Sequence, residues 1–386
     1  MFQPAGNGKL YVGSKRTGGF VLVKKYWEPI IVLLREPITV HDLARKLTRI
    51  DPKNFPADKS LSLTKLMLMK FVEHSLIKNI GQTKILKTKR SKTILACPRW
   101  TGLLTRPYLV KFYVFLAFLA LVLPLFYPSV FPRAQDFFWH ERFSISFLSF
   151  FLVSWVIGVQ HELIHFLTAC SKGVWSRIGL SYRLNFLVLE TDYVNIHAIS
   201  RLWRIAVFLS GMVSDLIVIL VLSLAVILTE NSFLKQIILL EWLGFGWQFL
   251  FFMRTDLYYA IKEVVQVENL YTYAKEKIIS LLTGRRFSHP LNKRENFFVN
   301  LYTIFFFLGT LFAAVRYGFY VLPIVFKLIW GSINNLYLGY TEGNLVAFWD
   351  GLIVIVVQVF VFALFVLKLA TTKWQALLTS GLKNKG

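Results

Sequence analysis

Hydrophobic and polar residues divide this 386-residue chain into two parts. Short alternating and helical patterns occupy the first 82 residues, whereas long apolar stretches follow from residue 108. Six stretches are each long enough to cross about 30 Å of hydrocarbon. They cover residues 108–128, 143–170, 204–228, 234–261, 297–325 and 345–369. The pattern predicts a polytopic α-helical membrane protein with about six transmembrane helices, in which a domain at 108–370 has its core at 143–261 and a tail follows at 371–386.

The N-terminal region, residues 1–82, has the pattern of a small α+β domain. Thr39 is a helix N-cap candidate because apolar residues follow it at helical spacing. The predicted elements are strands at 9–14 and 19–23, helices at 25–34, 40–47 and 61–75, and a closing strand pair or wing at 76–85. Strands followed by three helices predict a winged-helix-like layout.

Residues 174–195, between the second and third apolar stretches, alternate between apolar and polar positions and include β-branched residues. This pattern predicts a β-hairpin at the membrane boundary rather than a helix. A free strand edge there can pair with another extended chain, including a peptide substrate. Asn185 within the hairpin is therefore a candidate substrate-binding residue.

Composition supports the membrane assignment, because 55% of the residues are hydrophobic. A net charge of +23 would indicate nucleic acid binding in a soluble protein. Here the basic residues concentrate in the N-terminal region, in a linker at 83–107 and in the segments 171–203 and 262–296, as the positive-inside rule describes. We expect the linker to face anionic lipid and both termini to lie in the cytoplasm of a bacterial inner or plasma membrane, as an even number of spans also requires. Cys97 and Cys170 would then share the cytoplasmic side, so no disulfide is expected.

The second apolar stretch contains His161-Glu162-Leu163-Ile164-His165, an HExxH motif. Residues four apart share a helix face, so both imidazoles can bind one metal ion. Glu162 is then placed to act as a general base toward metal-bound water. Ionisable residues at membrane depth are costly, which favours a functional role over coincidence.

A catalytic zinc site usually takes a third protein ligand and leaves one position for water. Asp256 lies at the same depth as the histidines, about 8 Å inside the predicted cytoplasmic end of the fourth stretch. Asp215, somewhat deeper in the third stretch, is its main competitor, and Glu241 is too near the outer half to be favoured. Residue spacing also leaves open three residues on the hairpin side, Glu190, Asp192 and His197.

These features resemble the site-2 protease family of intramembrane zinc metalloproteases, and most closely its bacterial group of peptide zinc metalloproteases. The resemblance covers about residues 100–270 and rests on HELIH, on Thr255-Asp256-Leu257-Tyr258-Tyr259, on Glu268-Asn269-Leu270 and on Ser210-Gly211-Met212-Val213-Ser214-Asp215. It implies Zn²⁺ held by His161, His165 and Asp256, with Asp215 positioning substrate or water. Leu257 stands where that group has glycine, and Met212 stands where it has proline.

The strands and three helices of the N-terminal region resemble PqqD-like domains, which bind a leader peptide as an added strand. The resemblance implies a leader-peptide partner for residues 1–80. A DNA-binding winged helix is less favoured because no concentrated basic recognition helix is present. A purely structural or dimerising module stays open.

The sequence thus predicts an intramembrane zinc metalloprotease that cleaves a membrane-associated or small ribosomally made peptide, in maturation, export or regulated proteolysis. Two alternatives remain. One is a non-catalytic transporter or immunity component, and the other is a membrane-tethered winged-helix regulator.

Overall fold

The computed structural model describes residues 2–6, 8–13, 20–74, 76–77, 79–80, 83–84, 97–98, 100–183, 186–267, 269–284, 287, 289 and 291–383. The described chain is mostly helical, with three small sheets.

The N-terminal unit contains an antiparallel sheet of order β1-β2-β3 and three helices. Its elements are β1 (Phe2–Gly6), β2 (Lys9–Gly13), β3 (Phe20–Lys24), α1 (Glu28–Leu33), α2 (Val40–Ile50), α3 (Ser60–Glu73), β4 (Asn79–Ile80) and β5 (Thr83–Lys84). The Thr39 side chain accepts a hydrogen bond from the Asp42 backbone N–H at 3.1 Å, which confirms the predicted N-cap. Strand β1 was not predicted from the sequence because Pro4 and Gly6 interrupt its pattern, although an edge strand tolerates proline.

One apolar core holds this unit together. Leu10, Val12, Val21 and Val23 point from one face of the sheet onto the helices. The helices contribute buried residues that include Ile30, Leu43, Leu47, Met67 and Phe71. The opposite face of β2 carries Tyr11, which points away from this core.

The membrane region contains five candidate spanning helices among the described residues, at Pro107–Phe126, Phe143–Ser171, Arg201–Thr229, Lys293–Thr341 and Leu345–Ala363. Its helices are α4 (Thr101–Leu104), α5 (Pro107–Phe126), α6 (Phe143–Ser171), α7 (Arg201–Thr229), α8 (Ser232–Trp247), α9 (Asp256–Val265), α10 (Leu270–Thr283), α11 (Lys293–Arg316), α12 (Leu322–Thr341) and α13 (Leu345–Lys383). Five of the six predicted spans thus have a counterpart. An even number of spans therefore no longer supports placing both termini on the same side, and their cytoplasmic placement stays a prediction.

The predicted span at 234–261 is wrong, because the helix stops at Trp247 and resumes at Asp256. Helix α8 has 16 residues, so it is about 24 Å long and shorter than the hydrocarbon layer. Polar side chains hold the break. Thr255 Oγ1 donates to the Gln248 carbonyl at 2.6 Å, and Gln248 Oε1 accepts from the Asp256 N–H at 3.1 Å. Arg254 has a φ of 54°, which turns the chain into α9.

Two further predictions need correction near the C-terminus. The segment at 326–344, predicted as a connection between spans, is helical as far as Thr341, because α12 runs through it and a π-helical turn at Tyr317–Val321 joins α12 to α11. Helix α13 continues to Lys383 and so includes most of the predicted tail. Asp350 of α13 accepts hydrogen bonds from the N–H groups of Phe143 and Ser144, which anchors α13 to the start of α6.

The expectation of no disulfide is also wrong, because Cys97 is bonded to Cys170. Helix α4 packs against α6 and brings the two Cα atoms to 5.3 Å, although 73 residues separate the cysteines in sequence. Most of the predicted linker at 83–107 lies outside the described residues. Through Cys97, this bond attaches the described part of the linker to the end of α6.

The predicted hairpin between α6 and α7 is confirmed. Strands β6 (Ser176–Arg183) and β7 (Phe186–Tyr193) pair antiparallel, from Ser176 opposite Tyr193 to Arg183 opposite Phe186. Both strands pack against α6, while α7 packs against α6 and α9. The hairpin, α6, α7 and α9 therefore converge on one region, which contains the HExxH motif.

Candidate metal centre

Two imidazoles and one carboxylate meet where α6, α7 and α9 converge. His161 and His165 lie one turn apart on the buried face of α6, and their Nε2 atoms are 3.1 Å apart. Asp256 is the first residue of α9, and its Oδ2 lies 3.2 Å from Nε2 of His161 and 3.3 Å from Nε2 of His165. The break before α9 is what directs this carboxylate into the site.

The other ring nitrogen of each histidine is held by an acceptor on α7. Nδ1 of His161 lies 2.7 Å from Oδ2 of Asp215, and Nδ1 of His165 lies 2.7 Å from the Val207 carbonyl. A carbonyl oxygen only accepts, so Nδ1 of His165 carries the proton, and the Asp215 carboxylate requires the same of His161. When both imidazoles are neutral, each Nε2 atom therefore carries an unprotonated lone pair.

Three electron-rich atoms thus face one another at about the spacing that a metal imposes. Tetrahedral ligands at about 2.0–2.1 Å from zinc lie about 3.3–3.4 Å apart, and the three distances here are 3.1, 3.2 and 3.3 Å. Two imidazole lone pairs and a carboxylate this close repel each other unless a metal ion or a proton lies between them. The buried group His161, His165 and Asp256 could therefore hold a metal ion.

Gly211 of α7 gives the imidazoles their room. A Cβ at this position would lie 2.5 Å from Nε2 of His165 and 2.6 Å from Nε2 of His161. Any other residue would push a ring away from Asp256. Since Gly211 and Asp215 are four residues apart, one face of α7 provides both the space and the acceptor for His161.

Glu162 lies on the side of α6 that faces the hairpin. Its Oε2 accepts a hydrogen bond of 2.7 Å from Oγ1 of Thr191 on β7. Its other carboxylate oxygen has no hydrogen-bond partner within the described part of the chain. A cavity of about 220 Å³ opens between the hairpin and α9, and both Glu162 and Asp256 line it. Water can therefore reach the Glu162 and Asp256 carboxylates from the same space.

Among the predicted site residues, the structure brings His161, His165 and Asp256 together and places Glu162 beside them. Asp215 is buried behind His161 and does not line the cavity. Asn185 lies outside the described residues. The other candidate ligands are not part of the group: Glu190, Asp192 and His197 line the cavity, and Glu241 is buried in α8.

Leu257 and Met212, where the sequence departs from the resembled group, both have ordinary helical backbones in α9 and α7. The chain unwinds before Asp256 instead, at residues 248–255. A glycine after the aspartate is therefore not needed to expose its carboxylate.

Tyr11 of the N-terminal unit contacts a residue that lines the cavity. The Tyr11 ring stacks on His197 with 4.0 Å between ring centroids, and the guanidinium of Arg204 on α7 lies 5.3 Å from the Tyr11 ring. Arg204 is itself buried and paired with Glu263 of α9 at 2.8 Å. Burial, with the nearby charges of Arg204 and Lys262, lowers the pKa of His197 to about 3. His197 is thus a neutral aromatic contact at neutral pH.

Comparisons of the chain with protein-family models, with curated proteins and with solved structures return no match. The chemistry of the site has to be deduced from its own atoms.

Proposed function

We propose that this protein is a membrane-embedded zinc peptidase that hydrolyses a peptide bond of a membrane-associated or small ribosomally made peptide. The observation that carries the proposal is the convergence of two imidazoles and the Asp256 carboxylate, with Asp256 and Glu162 lining one open cavity. The same proposal assigns the chain to the site-2 protease family, and to its bacterial peptide zinc metalloproteases in particular.

Zinc is favoured over other metals by the neighbouring carboxylate. Two histidines and an aspartate suit zinc, but a similar set also holds non-haem iron in oxygenases. A general base next to the ligands has a use in hydrolysis and none in oxygen activation. When bound, zinc would supply an open position for water, lower that water's pKa to about 7 and polarise a carbonyl.

The chain's own residues then perform the proton transfers. Glu162 accepts a proton from the attacking water, whose oxygen forms a bond to the carbonyl carbon while the C=O electron pair moves to oxygen. As the C–N bond breaks, Glu162 passes that proton to the leaving nitrogen, which yields a carboxylate and an amine. Thr191 holds one oxygen of Glu162 through the 2.7 Å hydrogen bond and leaves the other for the proton.

The substrate has to be extended in order to react. A helical peptide bond in a membrane is protected because its polar groups are satisfied within the helix. The β6–β7 hairpin borders the cavity, so a substrate strand added to its free edge would present its backbone to Glu162.

We also propose that residues 1–80 recognise the substrate's leader segment. The N-terminal sheet has two edge strands, β1 and β3, and Tyr11 fixes the sheet beside the cavity. A leader added to that sheet would hold the following segment near the site.

Metal analysis together with peptide profiling tests the function. Wild type and the variants Glu162→Gln and His165→Ala are purified in detergent without added metal, and bound metals are measured by mass spectrometry. Each protein is then incubated in phosphatidylethanolamine–phosphatidylglycerol vesicles with tryptic peptides of a bacterial membrane fraction. The peptides are searched afterwards for new termini. We expect wild type to hold about one zinc and to cleave, Glu162→Gln to hold zinc without cleaving, and His165→Ala to lose both.

Three outcomes would contradict the proposal. Cleavage by Glu162→Gln at the wild-type rate would exclude this general base. Bound iron would indicate another chemistry, and zinc without any cleaved peptide would favour a non-catalytic transporter or immunity component. Specific, salt-dependent DNA binding would instead favour a membrane-tethered regulator.

A further inference from the structure

Tyr193 is the last residue of β7 and shares a strand face with Thr191. Side chains two residues apart on a strand point to the same side, and Thr191 bonds the Glu162 carboxylate. Tyr193 also lines the cavity into which Glu162 and Asp256 open. Two hydroxyl-bearing residues of this strand thus line the cavity, and the proposed peptidase mechanism uses only Thr191.

The ring of Tyr193 is held in place by packing. The ring packs edge-on against Phe208 of α7, with centroids 5.8 Å apart. Its hydroxyl has no hydrogen-bond partner among the residues that the structure describes. Burial raises the pKa of this phenol, and the Asp256, Glu162 and Glu190 carboxylates raise it further. The group is thus a protonated donor within electrostatic reach of both the proposed base and a ligand carboxylate.

We infer that the Tyr193 O–H donates a hydrogen bond to the carbonyl oxygen of the scissile peptide as negative charge develops on it. This inference rests on the proposed peptidase function. The hydroxyl keeps its proton throughout, so its contribution is electrostatic. A fixed donor directed at a developing oxyanion stabilises the transition state more than the substrate, because the charge appears only there.

Besides Thr191 and Tyr193, the donors that line the cavity are Lys262, His197 and Tyr259, of which Tyr259 lies on α9 and not on the hairpin strand. Lys262 lies six residues beyond Asp256 on α9, about 9 Å along the helix axis. His197 is neutral and stacked on Tyr11, and its Nδ1 is buried without a partner in the described structure. Tyr193 is the cavity donor that shares a strand face with the residue holding Glu162.

The test compares Tyr193→Phe with wild type, Glu162→Gln and the control Tyr113→Phe, which removes a phenol from α5 outside the cavity. A peptide that wild type cleaves in the profiling experiment is synthesised, and kcat, KM and bound zinc are measured. Loss of one oxyanion donor lowers kcat on the order of 100-fold. We expect that fall in Tyr193→Phe with KM and zinc content unchanged, and wild-type kinetics in Tyr113→Phe.

The outcomes separate this inference from the proposed function. Wild-type kcat in Tyr193→Phe overturns the role of Tyr193 and leaves the peptidase standing. A raised KM alone would make the hydroxyl a substrate-binding group, and lost zinc would make it a support for the ligands, so either result also overturns the inference. If wild type cleaves no peptide, the proposed function fails and the inference fails with it.

Discussion

Oδ2 of Asp215 lies 2.7 Å from Nδ1 of His161, on the side of the imidazole opposite Asp256. A carboxylate in this position fixes the ring's orientation and tautomer and raises the basicity of the nitrogen that faces the metal. Asp215 was the main competitor of Asp256 for the third ligand position. The two carboxylates instead lie on opposite sides of His161. Asp256 is the candidate ligand, and Asp215 orients the imidazole.

Replacing Asp215 by Asn should weaken metal binding without removing a ligand. The amide can still accept from Nδ1 of His161, but its negative charge is gone. Loss of such an outer partner typically costs 10–100-fold in metal affinity, and we expect that range in a zinc competition titration with a chelator.

The matched control is Asp192→Asn, which removes a cavity carboxylate that pairs with Arg177 at 2.8 Å and is not part of the ligand group. It should keep wild-type zinc affinity. Equal affinities in Asp215→Asn and wild type would show that Asp215 does not support His161.

Replacing Gly211 by Ala should displace the ligands while leaving α7 helical. The new Cβ would lie 2.5 Å from Nε2 of His165, closer than real Cβ contacts allow. Alanine has a higher helix propensity than glycine by about 1 kcal/mol. A loss of zinc in this variant therefore cannot be caused by a weaker helix. Bound zinc and circular dichroism of the purified variant measure the two effects.

Gly244→Ala is the control, because a Cβ at Gly244 of α8 meets nothing within 4 Å. We expect full zinc content there. Full zinc content in Gly211→Ala as well would mean that the imidazoles can move aside. The close packing of Gly211 against the two imidazoles would then not be needed for metal binding.

Residue spacing predicted the two histidines of the site, but it did not single out Asp256 and did not predict the residues that support the site. HExxH places two imidazoles on one helix face, whereas Asp256 was preferred to Asp215 through the family resemblance and through its depth in the predicted span at 234–261, which the structure does not contain. Thr191 and Tyr193 were not predicted, because their roles depend on which hairpin face packs against α6. The alternation of β7 could have shown that they share a face, but not that the face meets Glu162.

The break before Asp256 was hidden by composition. Residues 248–255 include Phe249, Phe251 and Phe252 and continue the apolar pattern of α8, so periodicity alone predicts one span. The interruption of the helix is stabilised by tertiary hydrogen bonds, including the 2.9 Å bond that Tyr302 Oη donates to the Phe251 carbonyl. The Cys97–Cys170 bond was missed because both cysteines were expected on the reducing cytoplasmic side, and a spacing of 73 residues says nothing about proximity.

The Cys97–Cys170 disulfide can be detected by thiol labelling. Membranes are treated with a polyethylene glycol maleimide in denaturant, before and after reduction. We expect wild type to gain mass only after reduction and Cys97→Ser to be labelled without it, because Cys170 is then free. Labelling of both cysteines in unreduced wild type would contradict the bond. Since disulfides persist mainly in oxidising compartments, a stable bond would also oppose the predicted cytoplasmic side.

The contact between Tyr11 and His197 should weaken as pH falls. The pKa of His197 is about 3 in the folded protein, against 6.5 for an unperturbed histidine, so the unfolded or undocked state binds the extra proton. Stability is therefore constant above about pH 6.5 and declines below it, by up to about 1.4 kcal/mol per pH unit or about 2 kcal/mol at pH 5. The charges of Arg204 and Lys262 oppose protonation in the docked state.

His197→Phe keeps an aromatic ring for Tyr11 and removes the titrating group. We expect the drop in melting temperature between pH 7 and pH 5 to be smaller in this variant than in wild type, and the rate of proteolytic release of the N-terminal unit to become less dependent on pH. His41→Phe, at an exposed position on α2, should retain the wild-type pH dependence. If His197→Phe and wild type lose the same stability on acidification, His197 is not buried against Tyr11 in its neutral form.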